Sequence, residues 1–115
     1  MITVFETSEE LSKAAAELFI TASKESITRN GRFLVSLSGG STPKRVFEIL
    51  AQSDYKERVE WTKVYIFWGD ERCVPLEDSE SNAGMTYKAL LNHVDVPGEQ
   101  IFRLSIFRII QCTGY

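Results

Sequence analysis

The chain has 115 residues, of which 43% are hydrophobic, 11% aromatic and 25% charged, enough apolar material for one packed core. That aromatic and branched content excludes an intrinsically disordered chain. Thirteen basic against sixteen acidic residues give a net charge of −3, which excludes a general nucleic-acid binder but leaves room for a local basic pocket around a small anion.

Cysteine usage and the chain's start narrow the setting. Cys73 and Cys112 lie far apart and make neither a CxxC pair nor a metal-ligand spacing, which fits a reducing, cytoplasmic environment. No metal is expected. Met1 to Glu6 has no basic stretch and no long apolar run, and Val64 to Trp68 is far below a bilayer span, so no membrane partner is expected.

In chain order, Ile2 to Phe5 is a short β-prone start, and Thr7-Ser8-Glu9-Glu10 offers a T-x-x-E capping box. Leu11, Ala14, Ala15, Leu18, Phe19 and Ala22 then recur at helical spacing, predicting a long helix with that face turned inward. Asn30-Gly31 is its stop. Phe33 to Ser38 is a strand apolar enough to be buried on both faces. After a glycine turn, Pro43 fits the first position of a helix carrying Val46, Phe47, Ile49 and Leu50 inward.

Gln52 to Glu60 is polar and leads into a third buried strand, Lys63 to Trp68. Gly69 to Glu80 is a charged loop. Asn82 to Asn92 reads as a third main helix, with Met85, Ala89 and Leu90 on its apolar side, and Val96-Pro97-Gly98 closes it. The alternation of strand and helix predicts an α/β fold, a parallel doubly wound sheet with right-handed crossovers. Three clear strands are few for such a sheet, and the β-prone tail with Ile106, Phe107, Ile109 and Ile110 has no helix to cover it. Residues 1–103 are therefore read as the N-terminal portion of an α/β domain, incomplete at its C-terminus, and 104–115 as an aberrant or truncated tail.

Two segments carry chemistry. Leu37-Ser38-Gly39-Gly40-Ser41-Thr42-Pro43-Lys44-Arg45 follows a buried strand and opens a helix. Its glycines let backbone N–H groups approach a ligand, Ser41 and Thr42 add hydroxyls, and the helix dipole points its positive end at the loop, an arrangement suited to phosphate. The spacing is neither GxxxxGK[ST] nor GxGxxG, so nucleotide binding loses support. The plainer alternative is an ordinary strand-to-helix turn with a Ser/Thr cap.

Trp68-Gly69-Asp70-Glu71-Arg72-Cys73-Val74-Pro75 occupies the equivalent position after the next buried strand. Its carboxylates and guanidinium suit hydroxyl and anion recognition, though such clusters are commonly solvated turns. Both segments are expected to converge on one crevice, with Arg72 pointing into it. His93 reads as a helix-end residue, and no Ser/His/Asp arrangement or GxSxG elbow is present. Lys44, Arg45, Lys56 and Arg58 read as a solvated basic face.

LSGGSTPKRVFEIL followed by VYIFWGDERCVPLEDSESNAGMTYKALLNHV resembles the 6-phosphogluconolactonase family, up to about Arg103. The resemblance implies a modified, Rossmann-like doubly wound sheet related to that of glucosamine-6-phosphate isomerases. It also implies hydrolysis of 6-phospho-D-glucono-1,5-lactone to 6-phosphogluconate in the oxidative pentose phosphate pathway, with no cofactor. Gly39, Gly40, Ser41 and Thr42 would hold the phosphate region, Asn82 would support that loop within the binding set, and Asp70 and Arg72 would be catalytic groups that contact or orient the substrate. The family's general-base histidine lies in a Gly-x-Asp-Gly-His segment that these 115 residues do not contain, and His93 does not match it. A short form, slow as a catalyst, is therefore expected. The sequence says nothing about oligomeric state. Two alternatives stand beside this one. A hexosamine-6-phosphate isomerase/deaminase shares the Gly-Ser-Thr loop but has Asp-Glu-Tyr where this chain has Asp70-Glu71-Arg72. A non-catalytic phosphosugar-binding remnant accounts for the missing base.

Overall fold

The computed structural model describes residues 7–68 and 81–102. Its elements run α1 (Ser8–Asn30), β1 (Phe33–Leu37), α2 (Ser41–Leu50), the short α3 (Ser53–Lys56), β2 (Val64–Trp68), α4 (Asn82–Ala89) and β3 (Ile101–Phe102). The expected strand at Ile2 to Phe5 and the tail at 104–115 lie outside the described residues.

α1 starts and stops where its sequence says. The Thr7 side chain accepts a hydrogen bond from the Glu10 N–H at 3.1 Å, and Gly31 ends the helix in the left-handed conformation, φ 81°, with its N–H on the Ile27 carbonyl. Its inward face is a correction. Ser12, Ala16, Ile20 and Ser23 are buried, whereas Leu18 is 70% exposed and Leu11 44%. The inward stripe combines Ile20 with the small residues Ser12, Ala16 and Ser23 where α1 lies against α2, and the Ser23 hydroxyl donates to the Ile20 carbonyl at 2.8 Å. Of the expected large residues Phe19 packs against the core, whereas Leu11 and Leu18 do not.

β1 and β2 are parallel neighbours, Phe33 opposite Val64 and Leu37 opposite Trp68, and β3 pairs parallel on the far side of β2. Val64, Ile66 and Trp68 alternate inward with Leu37 and meet Phe47, Ile49, Leu50, Ala83 and Leu90 in the core. α1 covers the same sheet face through Phe19, whose ring meets Phe33 edge-on at 5.3 Å. The opposite face of β1 is not buried as its apolar sequence suggested: Leu34 and Ser36 are exposed. On that face the rings of Phe67 and Phe102 stack at 4.8 Å.

A further departure comes from the stretch expected to be polar, Gln52 to Glu60. Val59 within it is buried, as is Trp61 just beyond it, and Trp61 donates its indole N–H to the Lys56 carbonyl at 2.8 Å. The basic face is solvated, and two of its members are also paired. Arg45 clamps Glu9 through two hydrogen bonds of 2.8 and 2.7 Å, and Arg58 holds Glu17 in the same two-pronged manner. α1 is thereby tied to α2 and to the turn after α3.

These pairs make a pH-dependent contribution. Hydrogen bonding to Arg45 holds the Glu9 carboxyl below its ordinary 4.5, and Arg58 does the same for Glu17. A lowered folded-state value means the contribution is complete above 4.5 and disappears as pH falls through the lowered value. Because the pairs are solvent-exposed, the effect is small and screened by salt. The double variant Glu9→Gln/Glu17→Gln should therefore melt below the parent at pH 7, and the two should converge at pH 3, measured by circular dichroism at low ionic strength.

Candidate active site

The register of the first two strands decides where the site lies. With Leu37 opposite Trp68, the segment beginning at Ser38 and the one beginning at residue 69 leave the sheet side by side, at its carboxyl end. Asp70 and Arg72, with Cys73, fall within residues 69–80, outside the described residues, as does Cys112.

The first loop is described in full. Gly40 caps α2 with φ 113° and ψ 171°, a conformation that side chains essentially exclude. It also turns the chain into the helix earlier than expected, so Ser41 is the first helical residue and Pro43 the third. That position still lies in the first turn, where a missing N–H breaks no intrahelical bond. The first such bond closes from the Lys44 N–H to the Gly40 carbonyl at 3.1 Å.

What α2 lacks at its start is informative. α1 begins with the Thr7 cap and Glu9 and Glu10 in its first turn, and α4 begins with Ser81, whose hydroxyl accepts from the Gly84 N–H at 2.9 Å. α2 has neither a side-chain cap nor an acidic residue in its first turn. Ser41, Thr42 and Lys44 are exposed around it. Partial positive charge, two hydroxyls and a lysine thus face solvent at the sheet's carboxyl end, an arrangement that suits an anion. Arg45 takes no part, being committed to Glu9 and to Glu48 at 3.5 Å.

The cradle is braced from α4. Asn82, the first residue of α4, is buried with its side chain directly against Gly39. One turn on, the buried Thr86 hydroxyl donates to the Asn82 carbonyl at 2.8 Å and accepts from the Trp68 indole N–H at 3.1 Å. The last residue of β2, the start of α4 and the glycine loop therefore form one connected unit. Sequence reasoning missed Thr86, whose place in the middle of a helix carries no signal until Trp68 is seen beneath it.

His93 belongs elsewhere. Its Nε2 lies 3.1 Å from the Lys88 carbonyl oxygen at the end of α4, as a helix-end residue does. It also lines a cavity of about 450 Å³ with Trp61 and Thr62, which precede β2 and so mark the opposite end of the sheet. A second cavity of about 510 Å³, beside Asn30 and Phe33, lies at that same far end. Neither touches the glycine loop. Among the described residues no cluster could hold a metal ion.

A parallel sheet with a glycine loop and an uncapped helix at its carboxyl end is an α/β architecture. Comparison with known proteins supplies the family. Residues 6–108 match the glucosamine-6-phosphate isomerase/6-phosphogluconolactonase family, and the chain belongs to it. The 6-phosphogluconolactonase of Haemophilus influenzae is 49% identical over 70 residues, 61% of this chain and 30% of that protein. That of Mycobacterium tuberculosis is 38% identical over 100 residues, 87% of this chain and 40% of that protein. The solved 6-phosphogluconolactonase of Trypanosoma brucei superimposes with a TM-score of 0.77 at 30% identity, over 90% of this chain and 38% of that one. The chain thus spans well under half the length of these relatives. A monomeric glucosamine-6-phosphate deaminase, TM-score 0.73 at 22% identity, shares the fold.

The brace is testable without ligand. Thr86→Val keeps the shape of a fully buried side chain but leaves the Trp68 indole N–H without its acceptor. Urea unfolding should show a loss of about 1–3 kcal/mol. An unchanged midpoint would mean that Trp68 does not depend on Thr86.

Proposed function

We propose that this chain is the substrate-cradling part of a 6-phosphogluconolactonase, acting on 6-phospho-D-glucono-1,5-lactone in the oxidative pentose phosphate pathway. The observation that carries the reading is the uncapped start of α2 behind Gly39 and Gly40, at the end of the sheet where the Trp68-Gly69-Asp70-Glu71-Arg72 segment also begins. In it, the N–H groups of the first turn with Ser41, Thr42 and Lys44 take the phosphate, and Asp70 and Arg72 contact or orient the lactone ring. A cytoplasmic setting goes with this reading and with the cysteine usage.

The reaction requires water to add to the C1 carbonyl, a base to accept its proton, and donors for the oxyanion before the ring oxygen leaves. Among the described residues of the cradle none is a carboxylate or a histidine. The single histidine, His93, sits against the Lys88 carbonyl beside residues at the other end of β2, and a five-residue strand spans about 17 Å. Binding and hydrolysis are therefore separable in these 115 residues.

Titration of the 115-residue protein with 6-phosphogluconate, followed by amide NMR, should move the Gly39–Thr42 signals. Gly40→Ala, which cannot hold φ 113°, should weaken binding at least tenfold. Hydrolysis should run little above the spontaneous opening of the lactone, since a missing general base typically costs ~10²–10⁴-fold. Shifts confined to the His93 cavity would overturn the site. Robust turnover abolished by Asp70→Ala would overturn the separation of binding from hydrolysis.

A further inference from the structure

The two glycines of the loop are glycine for different reasons. Gly40 is required by its backbone, φ 113°, while a Cβ added there would meet only Pro43 Cδ at 3.7 Å. Gly39 has no positive φ. A Cβ added at Gly39 would instead lie 2.5 Å from Asn82 Cγ, 3.0 Å from Nδ2 and closer still to Oδ1. The space a side chain would take at position 39 is already filled by the Asn82 carboxamide.

Asn82 cannot readily give way. It is 9% exposed, and its neighbours Ser81, Ala83 and Gly84 are buried as well. A buried amide that rotates must also abandon its hydrogen bonding, which costs more than the displacement itself. Its backbone is fixed too, because the Asn82 carbonyl accepts from Thr86, which in turn holds Trp68.

We infer that Asn82 is a positioning residue rather than a ligand: its side chain is the surface on which Gly39 rests, and through Gly39 it sets where the N–H groups at the start of α2 point. The inference rests on the proposed phosphosugar site for its consequence, but not for the contact itself. Gly39 and Asn82 lie far apart in sequence, and the contact couples the β1–α2 loop to the start of α4, the helix that follows the Asp70 to Arg72 segment. One carboxamide thus ties the β1–α2 loop to the start of α4.

The test is a cycle of Gly39→Ala, Asn82→Ala and the double variant, each measured by urea unfolding and by 6-phosphogluconate titration. Gly39→Ala should lose stability and weaken binding about tenfold or more, the scale of one charge-assisted hydrogen bond. Asn82→Ala vacates the space, so the double variant should be more stable than Gly39→Ala alone, an interaction opposite in sign to additive loss. Additive losses would overturn the contact. Asn82→Ala alone should keep the fold, shift the ligand-free amide signals of Ser41 and Thr42, and weaken binding. Unmoved signals with unchanged affinity would overturn the positioning role, whether or not Gly39→Ala folds. If the parent protein fails to bind 6-phosphogluconate, the functional reading fails, while the stability cycle and the ligand-free spectra still decide the role of Asn82.

Discussion

The parallel pairing of β1 with β2, Leu37 opposite Trp68, is the constraint on which the rest depends. Parallel neighbours oblige the chain to return over one face of the sheet, and α2 makes that return. The same register ends β1 and β2 side by side, at the end of the sheet where α2 begins. A slip of one residue would turn Ile66 and Val64 outward and put Tyr65 and Phe67 into the core. The alternating burial of β2 against α2 and α4 prevents it.

Much of this was legible in order, and the exceptions have physical causes. The capping box at Thr7, the stop at Gly31 and the inward residues of α2 are local signals, and local signals survive folding. The inward face of α1 was not legible, because close helix packing selects Ala16 and Ser12 over Leu11 and Leu18. Val59 and Trp61 were hidden in a polar context because their burial depends on α1 and the short turn around them. Of the site, the glycine loop could be read because a tight turn from strand into helix leaves a composition behind. The Thr86 link and the Asn82 contact could not, since each is a long-range coincidence of otherwise ordinary residues.

The described helices cover one face of the sheet. On the other, Leu34 is 51% exposed and Phe102 40%. Apolar exposure there is reduced from within: Phe102 stacks on both Phe67 and Tyr65, and the Arg32 guanidinium sits 6.0 Å from the Tyr65 ring centre.

The charges divide along the same lines. Arg45 and Arg58 sit in or just after the elements that cover the core, and each is fully occupied in fastening α1. Lys44, next to Arg45 in sequence, stays exposed beside the loop. A basic residue close to a phosphate loop is therefore not by that fact a phosphate ligand. Glu9 removes Arg45 from the site, and the start of α2 holds its positive character through backbone N–H groups instead. Such groups do not titrate, and no substitution other than to proline removes them, but they can be mis-aimed. The sensitive residues of this cradle are accordingly those that set backbone direction: Gly40 by its own conformation, and Gly39 by what it rests upon.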